Sequence, residues 1–402
     1  MRVLFLNQFF PPDLAPSGRL IRELAQDLVA QGVEASVVAS RSAYAGSTGR
    51  SLRREQMDGV SVYRTIGWTF GRRLGPARLL GYAAFCVGAF VRAIRLMRPD
   101  VVVIRWTPPF LPVLGLPLKR LRKVRVINWV HDLYPDYFLA TGLIRPGGAL
   151  HRLFDLLCMV SFHEADRIVA ISEPMAVRVR AKGVPAERIS VISDWVDGKA
   201  LRPIPRSENQ FLERHGLGAM TVGMYAGNMG IGHEFDTLLD ALARLPARKE
   251  NLFLFIGDGH QKSEVRQGVS ARGLKGVRFL HYVPEDELPQ SLGAGDVHVI
   301  TLRNGLEGIM MPNKIYGVMA CARPVLYVGP CQSEVAEIVG AARCGIVVSP
   351  GDVTGVLNAW EVLNRDVALR ETMGTNGRRY FEEHYDRPLA TDKFCGLLRH
   401  LE

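Results

Sequence analysis

The sequence predicts an α/β protein built from two doubly wound domains, and three observations lead to that prediction. Short continuous apolar runs recur along the chain, as expected for strands buried in a parallel sheet. Amphipathic helical stretches separate these runs, so strands and helices alternate. The alternation restarts after a polar, proline-containing segment at residues 193–209, which we interpret as an interdomain linker.

The first domain is predicted for residues 1–200. A strand at residues 2–6 is followed by a helix that opens at Ser17 and Gly18, which is the start of a doubly wound unit. Residues 43–62 are rich in Ser, Gly and Arg and are expected to form a solvated loop. Further strands of this domain are expected at residues 33–39, 101–104, 124–130, 166–171 and 189–192.

The second domain is predicted for residues 201–378. Its strands are expected at residues 221–225, 252–256, 277–280, 297–302 and 325–328. Gly227 and Gly257 follow two of these strands, where glycine lets backbone N–H groups approach a phosphate. The loops do not match the G-x-G-x-x-G dinucleotide fingerprint.

Charge is distributed unevenly along the chain. Residues 1–200 carry 28 Lys and Arg against 16 Asp and Glu, whereas residues 201–402 carry 22 against 24. A basic half suggests an anionic partner, either nucleic acid or anionic lipid. No nucleic-acid-binding motif is recognisable, so we expect no nucleic acid partner.

Six scattered cysteines without a C-x-x-C pair argue against a zinc site or a disulfide framework and fit a reducing cytoplasm. The N-terminus is interpreted as a strand rather than a signal peptide. The apolar stretch at residues 79–91 is too short to span a bilayer and is either a core helix or an interfacial element. The interfacial interpretation rests on its basic and aromatic neighbours, namely Trp68, Phe70, Arg72, Arg73, Arg78 and the run at residues 119–123.

The stretch at residues 305–330 is predicted to contain the most informative site. Pro312 suits the first turn of a helix, and Lys314 adds a full charge in that turn. The start of a helix offers free N–H groups and the positive end of a dipole, which together suit a diphosphate. A strand at residues 325–328 then follows.

Two runs carry a family resemblance. PNKIYGVMACARPVL at residues 312–326 and VHDLYPD at residues 130–136 resemble segments of family 4 glycosyltransferases, in their bacterial surface-polysaccharide branch. The resemblance implies a GT-B fold, in which two Rossmann-like domains face each other across a cleft and a last helix, here residues 379–402, crosses back to the first domain. It also implies retaining sugar transfer from a nucleotide-diphosphate sugar, with a UDP-sugar favoured.

The same resemblance implies a donor site and an acceptor site. The implied donor-binding residues are Gly18, Gly227, Asn228, Gly257, Tyr282, Val283, Arg303, Asn313, Tyr316 and Glu334. Glu334 could bind ribose hydroxyls or be an ordinary acid in the first turn of a helix. The implied acceptor-binding residues are Asp132, Tyr134 and Asp136, and His131 could hydrogen-bond a sugar hydroxyl or shield the reacting centre.

This chain departs from the family pattern at four positions. The two family glutamates align with Ile309 and Gly317, so Glu307 is the nearest acid and is included with His131 and Lys314 as catalytic. The family's Arg and Lys pair aligns with Asn228 and His233. Charge neutralisation is therefore expected to fall to Lys314, with Arg303 as an additional cation and Lys262 as either a further one or a solvated helix residue.

No D-x-D pair occurs, so neither a metal nor another cofactor is expected. The predicted enzyme is a hexosyl- or N-acetylhexosaminyltransferase that uses a polyprenyl-diphosphate-linked sugar as acceptor. It is expected in the cytoplasm, peripheral on the anionic inner face of the cytoplasmic membrane. The alternatives are a nucleotide-sugar epimerase and a catalytically inactive nucleotide-sugar-binding protein.

Overall fold

The computed structural model describes residues 1–13, 15–41, 52–66, 76–246 and 250–401, with the backbone alone for 76–79. These residues form two compact units. The first contains residues 1–194 and 390–402, and the second contains residues 195–389. The chain passes from one unit to the other inside the polar segment at 193–209.

The first unit contains an eight-stranded sheet in its described residues. Its strands are β1 (Arg2–Leu6), β2 (Glu34–Ser40), β3 (Arg54–Met57), β4 (Val60–Thr65), β5 (Val101–Arg105), β6 (Arg125–Val130), β7 (Arg167–Ala170) and β8 (Ile189–Val191). The strand order is β3-β4-β2-β1-β5-β6-β7-β8, and only the β3–β4 pair is antiparallel. The central strands are buried on both faces, as the continuous apolar runs predict.

Helices cover both faces of this sheet. They are α1 (Pro16–Ala30), α2 (Pro76–Arg95), α3 (Gly115–Arg122), α4 (Asp136–Ala140), α5 (Ala149–Glu164) and α6 (Glu173–Ala181). Phe85, Ala89 and Ala93 of α2 pack in one apolar cluster with side chains of the sheet and of α3. Ser172 caps α6 by accepting a hydrogen bond from the Met175 N–H at 3.2 Å, as predicted for a serine at this position.

The second unit contains a six-stranded sheet that is parallel throughout. Its strands are β9 (Thr221–Ala226), β10 (Asn251–Ile256), β11 (Val277–Leu280), β12 (Val297–Thr301), β13 (Val325–Val328) and β14 (Gly345–Val348), ordered β11-β10-β9-β12-β13-β14. The remaining helices are α7 (Gln210–Arg214), α8 (Asp236–Arg244), α9 (Lys262–Ala271), α10 (Leu288–Gly293), α11 (Lys314–Ala320), α12 (Glu334–Ala342), α13 (Val353–Arg365), α14 (Val367–His384) and α15 (Arg387–Arg399).

Both sheets reverse their strand order beside their first strand. The reversal lies between β1 and β5 in the first unit and between β9 and β12 in the second, which is the order of a Rossmann sheet. Open sheets of this kind bind ligands at the carboxyl ends of the strands next to such a reversal. The loops after β1, β5, β9 and β12 are therefore where a site is expected.

Three predictions about elements are wrong. Residues 54–62 form strand β3 and part of strand β4 rather than a solvated loop, while residues 42–51 lie outside the described part. Pro312 precedes α11, which starts at Lys314. The last helix, predicted for residues 379–402, is interrupted at 385–386, where the Asp386 carboxylate accepts hydrogen bonds from the N–H groups of Gly198 and Arg387.

The β3–β4 hairpin fixes the loop that follows β1. Arg64 of β4 is buried, and its Nη1 donates to the carbonyl of Phe10 at 3.1 Å while its Nη2 donates to the carbonyl of Pro11. Its Nε donates to Glu55 of β3 at 2.8 Å. The hairpin at the margin of the sheet thus holds a loop that lies at the carboxyl ends of the strands, where ligands bind.

Replacing Gly257 with alanine is expected to destabilise the second unit strongly. Gly257 has φ +132°, and a Cβ there would lie 2.1 Å from the Gly227 carbonyl oxygen. We expect a loss of about 3 kcal/mol or more in the free energy of unfolding, measured by urea denaturation. Gly273→Ala is the matched control, because its φ is +61° but no atom lies within 4 Å of the added Cβ. A loss of only about 1 kcal/mol at both positions would contradict the close contact between the loops.

Candidate functional site

The side chain of Lys314 lies at the carboxyl ends of β9 and β12. It extends from the first residue of α11 to the loop after β9, where Nζ lies 3.0 Å from Tyr225 Oη and 3.4 Å from His233 Nε2. The ammonium also lies over the Tyr225 ring, 4.5 Å from its centroid. A Cβ at Gly227 would be 3.2 Å from Lys314 Cε, so the loop backbone and the lysine are in contact.

Both hydrogen-bond partners of this ammonium are uncharged. His233 Nδ1 lies 2.7 Å from the Thr301 carbonyl, so Nδ1 carries the proton and Nε2 accepts from Lys314. Burial, together with the nearby Lys314 charge, holds the pKa of His233 well below its usual range. Tyr225 donates its O–H to the Asn228 carbonyl at 2.8 Å, so its oxygen is free to accept from Lys314, and burial raises its pKa.

Lys314 has no acidic counterion in the described part of the chain. Burial alone lowers its pKa to about 7, because removing an ammonium from water disfavours the charged form. A negatively charged ligand beside Nζ would restore that pKa and would gain a charge-assisted hydrogen bond. The local electrostatics therefore favour an anion at this position.

Two glycine-containing loops form the backbone surface next to Lys314. The Met229 N–H donates to the Asp258 carbonyl at 2.8 Å, and the Gln261 N–H donates to the Met229 carbonyl at 2.9 Å. The Gln261 side-chain amide also donates to the carbonyls of three residues in the first loop, Gly230, Ile231 and His233. These bonds tie the loops after β9 and β10 together, and their glycines leave the backbone accessible to a phosphate.

The remaining cations predicted for this region support the loops. Arg303 Nε donates to the His233 carbonyl at 3.1 Å, which places its guanidinium beside the Lys314 cluster. Lys262 Nζ donates to the Gly257 carbonyl at 2.6 Å, so it is a loop-binding residue rather than a freely solvated one.

Asn228, Tyr282 and Val283 border the same loops. The Asn228 side chain lies close to Gly259, where a Cβ would be 2.6 Å from Asn228 Oδ1. Tyr282 donates its O–H to the Asp258 carbonyl at 3.4 Å, and Val283 packs against the same apolar cluster as Ala226. All three therefore lie near the end of the sheet where Lys314 is found.

Four other predicted residues have different surroundings. Tyr316 is buried, with its hydroxyl 3.2 Å from the Met311 sulfur and its ring 4.7 Å from the Tyr385 ring. Asn313 occupies the N-cap position of α11 without a side-chain capping bond. Glu307 accepts from the Gly305 N–H at 3.1 Å, and Glu334 is the first residue of α12, which is capped by Ser333.

A second polar cluster lies in the first unit, where β5 and β6 end. His131 Nε2 lies 2.8 Å from Asp194 Oδ1. Burial raises the pKa of Asp194, but the charges of His131, Arg105 and Arg19 outweigh burial, so the pKa is lowered overall. Burial and Arg105 lower the pKa of His131, so this pair is a neutral imidazole that donates to an ionised carboxylate near neutral pH.

Arg105 and Asp132 complete this polar cluster. Arg105 is 3% exposed, lies 4.4 Å from the centroid of the Trp129 ring and donates from Nη1 to the Ser17 carbonyl at 3.3 Å. Burial lowers its pKa to about 10, so it remains charged at neutral pH. Burial raises the pKa of Asp132 to about 6, against the opposing effects of Arg105 and of Tyr134, whose hydroxyl lies 3.5 Å from Asp132 Oδ2.

The other predicted residues of the first unit have structural partners. Asp136 pairs at 2.8 Å with Lys182, the residue that follows α6, rather than with the Asp132 cluster. Tyr134 belongs to an aromatic group with Trp106 and Phe138. A Cβ at Gly18 would lie 2.9 Å from Phe10 Cα, so this glycine allows α1 to pack closely against the loop after β1.

Arg105 and Asp194 are site residues that sequence reasoning did not identify. The available signal for Arg105 was a charged residue at the end of the apolar run at residues 101–105. Asp194 follows the last strand of the first unit, and its pairing with His131 spans 63 residues. No local pattern in the sequence indicates a contact over that distance.

Within the described residues, no group of three or more His, Cys, Asp or Glu side chains is arranged to hold a metal ion. The helices in that same part of the chain include none with the length and apolar character needed to cross a bilayer. Trp68, Phe70, Arg72, Arg73 and the side chain of Arg78 lie outside the described residues.

Substitutions at Asp194 and Arg105 are expected to move the pKa of His131 in opposite directions. Asp194→Asn removes a negative charge that stabilises the imidazolium, so the pKa of His131 should fall further. Arg105→Gln removes a positive charge and should raise it. An NMR titration of the imidazole would measure both changes, with His151 as an internal reference. Shifts in the same direction for the two variants would rule out this charge arrangement.

Two Rossmann-ordered sheets in one chain, the second with an anion-favouring site at its strand ends, are typical of the GT-B fold. Residues 17–195 match the family model described as glycosyl transferase 4-like domain, and residues 221–366 match the model of glycosyl transferases group 1. The chain therefore belongs to the family 4 glycosyltransferases.

Similarity to known proteins extends over most of the chain. The probable glycosyltransferase WbjE of Pseudomonas aeruginosa is 26% identical over 78% of both chains. The putative colanic acid biosynthesis glycosyl transferase WcaI of Escherichia coli is 24% identical over 99% of this chain and 100% of its own. The crystal structure of HepE from Anabaena in complex with UDP-glucose has 18% identity and a TM-score of 0.76 over 100% of both chains, which shows a shared fold.

Proposed function

We propose that the protein is a retaining hexosyl- or N-acetylhexosaminyltransferase that uses a nucleotide-diphosphate sugar, favourably a UDP-sugar. The observation that carries this proposal is the Lys314 ammonium, which is buried against two neutral partners and has no acidic counterion in the described chain. The departing nucleoside diphosphate develops negative charge in the transition state. A fixed cation and loop amides at that point would stabilise the charge without reorganisation.

Comparison with related proteins supports the donor and the pathway. HepE, which shares the fold, has been crystallised with UDP-glucose. WcaI is named for colanic acid biosynthesis, so a role in bacterial polysaccharide biosynthesis is the corresponding proposal here. We further propose that transfer needs no metal, because Lys314, assisted by Arg303, supplies the positive charge and the sequence lacks a D-x-D pair.

The polar cluster of the first unit is the proposed acceptor-side site. Neutral His131 donates from Nε2 to Asp194, so its Nδ1 can accept a hydrogen bond from a sugar hydroxyl. Asp132 has a pKa of about 6, so it is ionised at neutral pH and can accept from a second hydroxyl. Retention would follow from front-face attack by the acceptor hydroxyl, with its proton passing to the departing phosphate.

Exposed apolar side chains support a lipid-linked acceptor at the inner face of the cytoplasmic membrane. Helices α2 and α3 pack on one face of the first sheet, and α5 contacts α3. Leu150, Leu153 and Leu156 of α5 are 57%, 48% and 60% exposed. Leu80, Val87 and Val91 of α2 and Leu121 of α3 are exposed as well. Apolar side chains among many arginines are typical of a peripheral membrane surface.

Substitution of Lys314 is expected to remove most of the donor affinity. Lys314→Met should weaken UDP-sugar binding by at least about thirtyfold, or about 2 kcal/mol, because a charge-assisted hydrogen bond is lost. Isothermal titration calorimetry would measure the change. In the wild type, Lys314 Nζ lies 3.4 Å from His233 Nε2. The double variant Lys314→Met, His233→Lys therefore places an ammonium close to the original one and should recover part of the affinity. Unchanged affinity in Lys314→Met would show that the diphosphate binds elsewhere.

Donor affinity is also expected to depend on pH. The pKa of Lys314 is lowered to about 7, so the ammonium is present below that pH and is progressively lost above it. The diphosphate of a nucleotide sugar stays ionised around neutrality. Affinity should therefore fall with rising pH above about pH 7, by at most about tenfold per pH unit. Lys314→Arg is the control, because a guanidinium stays protonated and its affinity should be flat over the same range.

Replacing Leu150, Leu153 and Leu156 with serine is expected to reduce membrane binding. The three side chains are exposed, so the fold should tolerate the change while the apolar contact with lipid is lost. Flotation with phosphatidylglycerol vesicles would measure a decrease of at least about tenfold in the partition coefficient. Val362→Ser with Val367→Ser, exposed positions in the second unit, is the control. Equal flotation of both variants would argue against this surface.

A further inference from the structure

A basic cavity lies at the amino ends of the strands of the first sheet, whereas the His131 cluster lies at their carboxyl ends. It has a volume of about 390 Å³ and opens at the amino ends of β6, β7 and β8. Four cationic side chains line it, namely Lys119, Arg125, Arg167 and Arg188, together with a single carboxylate, Asp166. The histidines at 163 and 400 complete the polar lining. Counting Lys, Arg and Asp, the wall carries a net charge of +3.

Three of the cavity's arginines lie at the amino ends of neighbouring strands. Arg125 is the first residue of β6, Arg167 is the first residue of β7, and Arg188 immediately precedes β8. Ile168 pairs with Ile189, so Arg167 and Arg188 stand side by side at the same level of the sheet. Neighbouring strands are about 4.8 Å apart, a spacing at which adjacent like charges repel each other.

The single carboxylate cannot neutralise this group. Asp166 Oδ1 accepts from Lys119 Nζ at 2.9 Å, and Oδ2 accepts from the Val126 N–H at 2.8 Å. Arg125 lies 3.7 Å from Asp166. In the described chain, the contacts of the other two arginines are with backbone carbonyls: Arg167 donates to Asp166 at 3.1 Å, and Arg188 donates to His163 at 3.4 Å.

We propose that this cavity binds the phosphate or diphosphate group of a ligand, separately from the sugar-transfer site. Arginine guanidinium groups match phosphate oxygens in charge and in hydrogen-bond geometry. The ligand would relieve the repulsion between Arg167 and Arg188, which no side chain of the described protein does. Helix α3 supplies Lys119 and also exposes Arg120 and Leu121, so either a free phosphate compound or a lipid headgroup could reach the cavity.

The test uses the full-length chain carrying Lys314→Met, so that the proposed donor site contributes little. Inorganic pyrophosphate is titrated by calorimetry into this protein and into the same protein with Arg125→Gln, Arg167→Gln and Arg188→Gln. The matched control has Arg202→Gln, Arg244→Gln and Arg379→Gln, which remove the same charge from exposed positions of the second unit. We expect the cavity variant to bind at least about tenfold more weakly and the control to bind normally.

A second arm identifies the source of the phosphate. If pyrophosphate binds weakly to every variant, a selective loss of flotation with phosphatidylglycerol vesicles in the cavity variant assigns the site to a lipid headgroup. Arg188→Gln alone provides a milder change and should show a smaller loss in the same direction. If the cavity variant and the control behave alike with both pyrophosphate and vesicles, the proposal is wrong, whatever the result for the donor site.

Discussion

The structure of the second unit depends on how one ammonium group is held without a counterion. Lys314 donates hydrogen bonds to a tyrosine oxygen and an imidazole nitrogen. Each of these two side chains in turn donates a hydrogen bond to a backbone carbonyl. The loop after β9 supplies the Asn228 carbonyl and the His233 side chain, so the charge and the glycine backbone are positioned together. An isolated protein bears the desolvation cost of such an arrangement. An anion beside the ammonium would make the arrangement favourable, which is the reason for proposing a diphosphate at this position.

The fold was largely predictable because apolar runs separated by amphipathic stretches define a parallel sheet. The central strands β1, β5, β9, β12 and β13 were all predicted from such runs. Strand β3 was not predicted, because its sequence REQM is polar and lies at an exposed edge. A polar edge strand such as β3 lacks the apolar signal, and its pairing depends on a partner such as Arg64, which binds Glu55 across the hairpin.

Two residues of the candidate site were predictable from local signals. His131 directly follows the apolar run of β6, and Lys314 follows a proline that indicates the start of a helix. Asp194 and Arg105 act through contacts distant in sequence, and the role of Tyr225 as a partner of Lys314 spans 89 residues. Such contacts are set by sheet topology, which a local pattern does not encode. Tyr316 was predicted to bind the donor. The sequence did not indicate that its hydroxyl lies 3.2 Å from the Met311 sulfur.

The Arg64 clamp makes the geometry of one ligand-edge loop depend on a hairpin at the margin of the sheet. A guanidinium that binds the carbonyls of Phe10 and Pro11 transmits any shift of β4 to the segment between β1 and α1. Edge hairpins tolerate sequence change more readily than central strands do. Related enzymes could therefore adjust this loop, and with it their choice of substrate, through substitutions in the hairpin that leave every substrate-contacting residue unaltered.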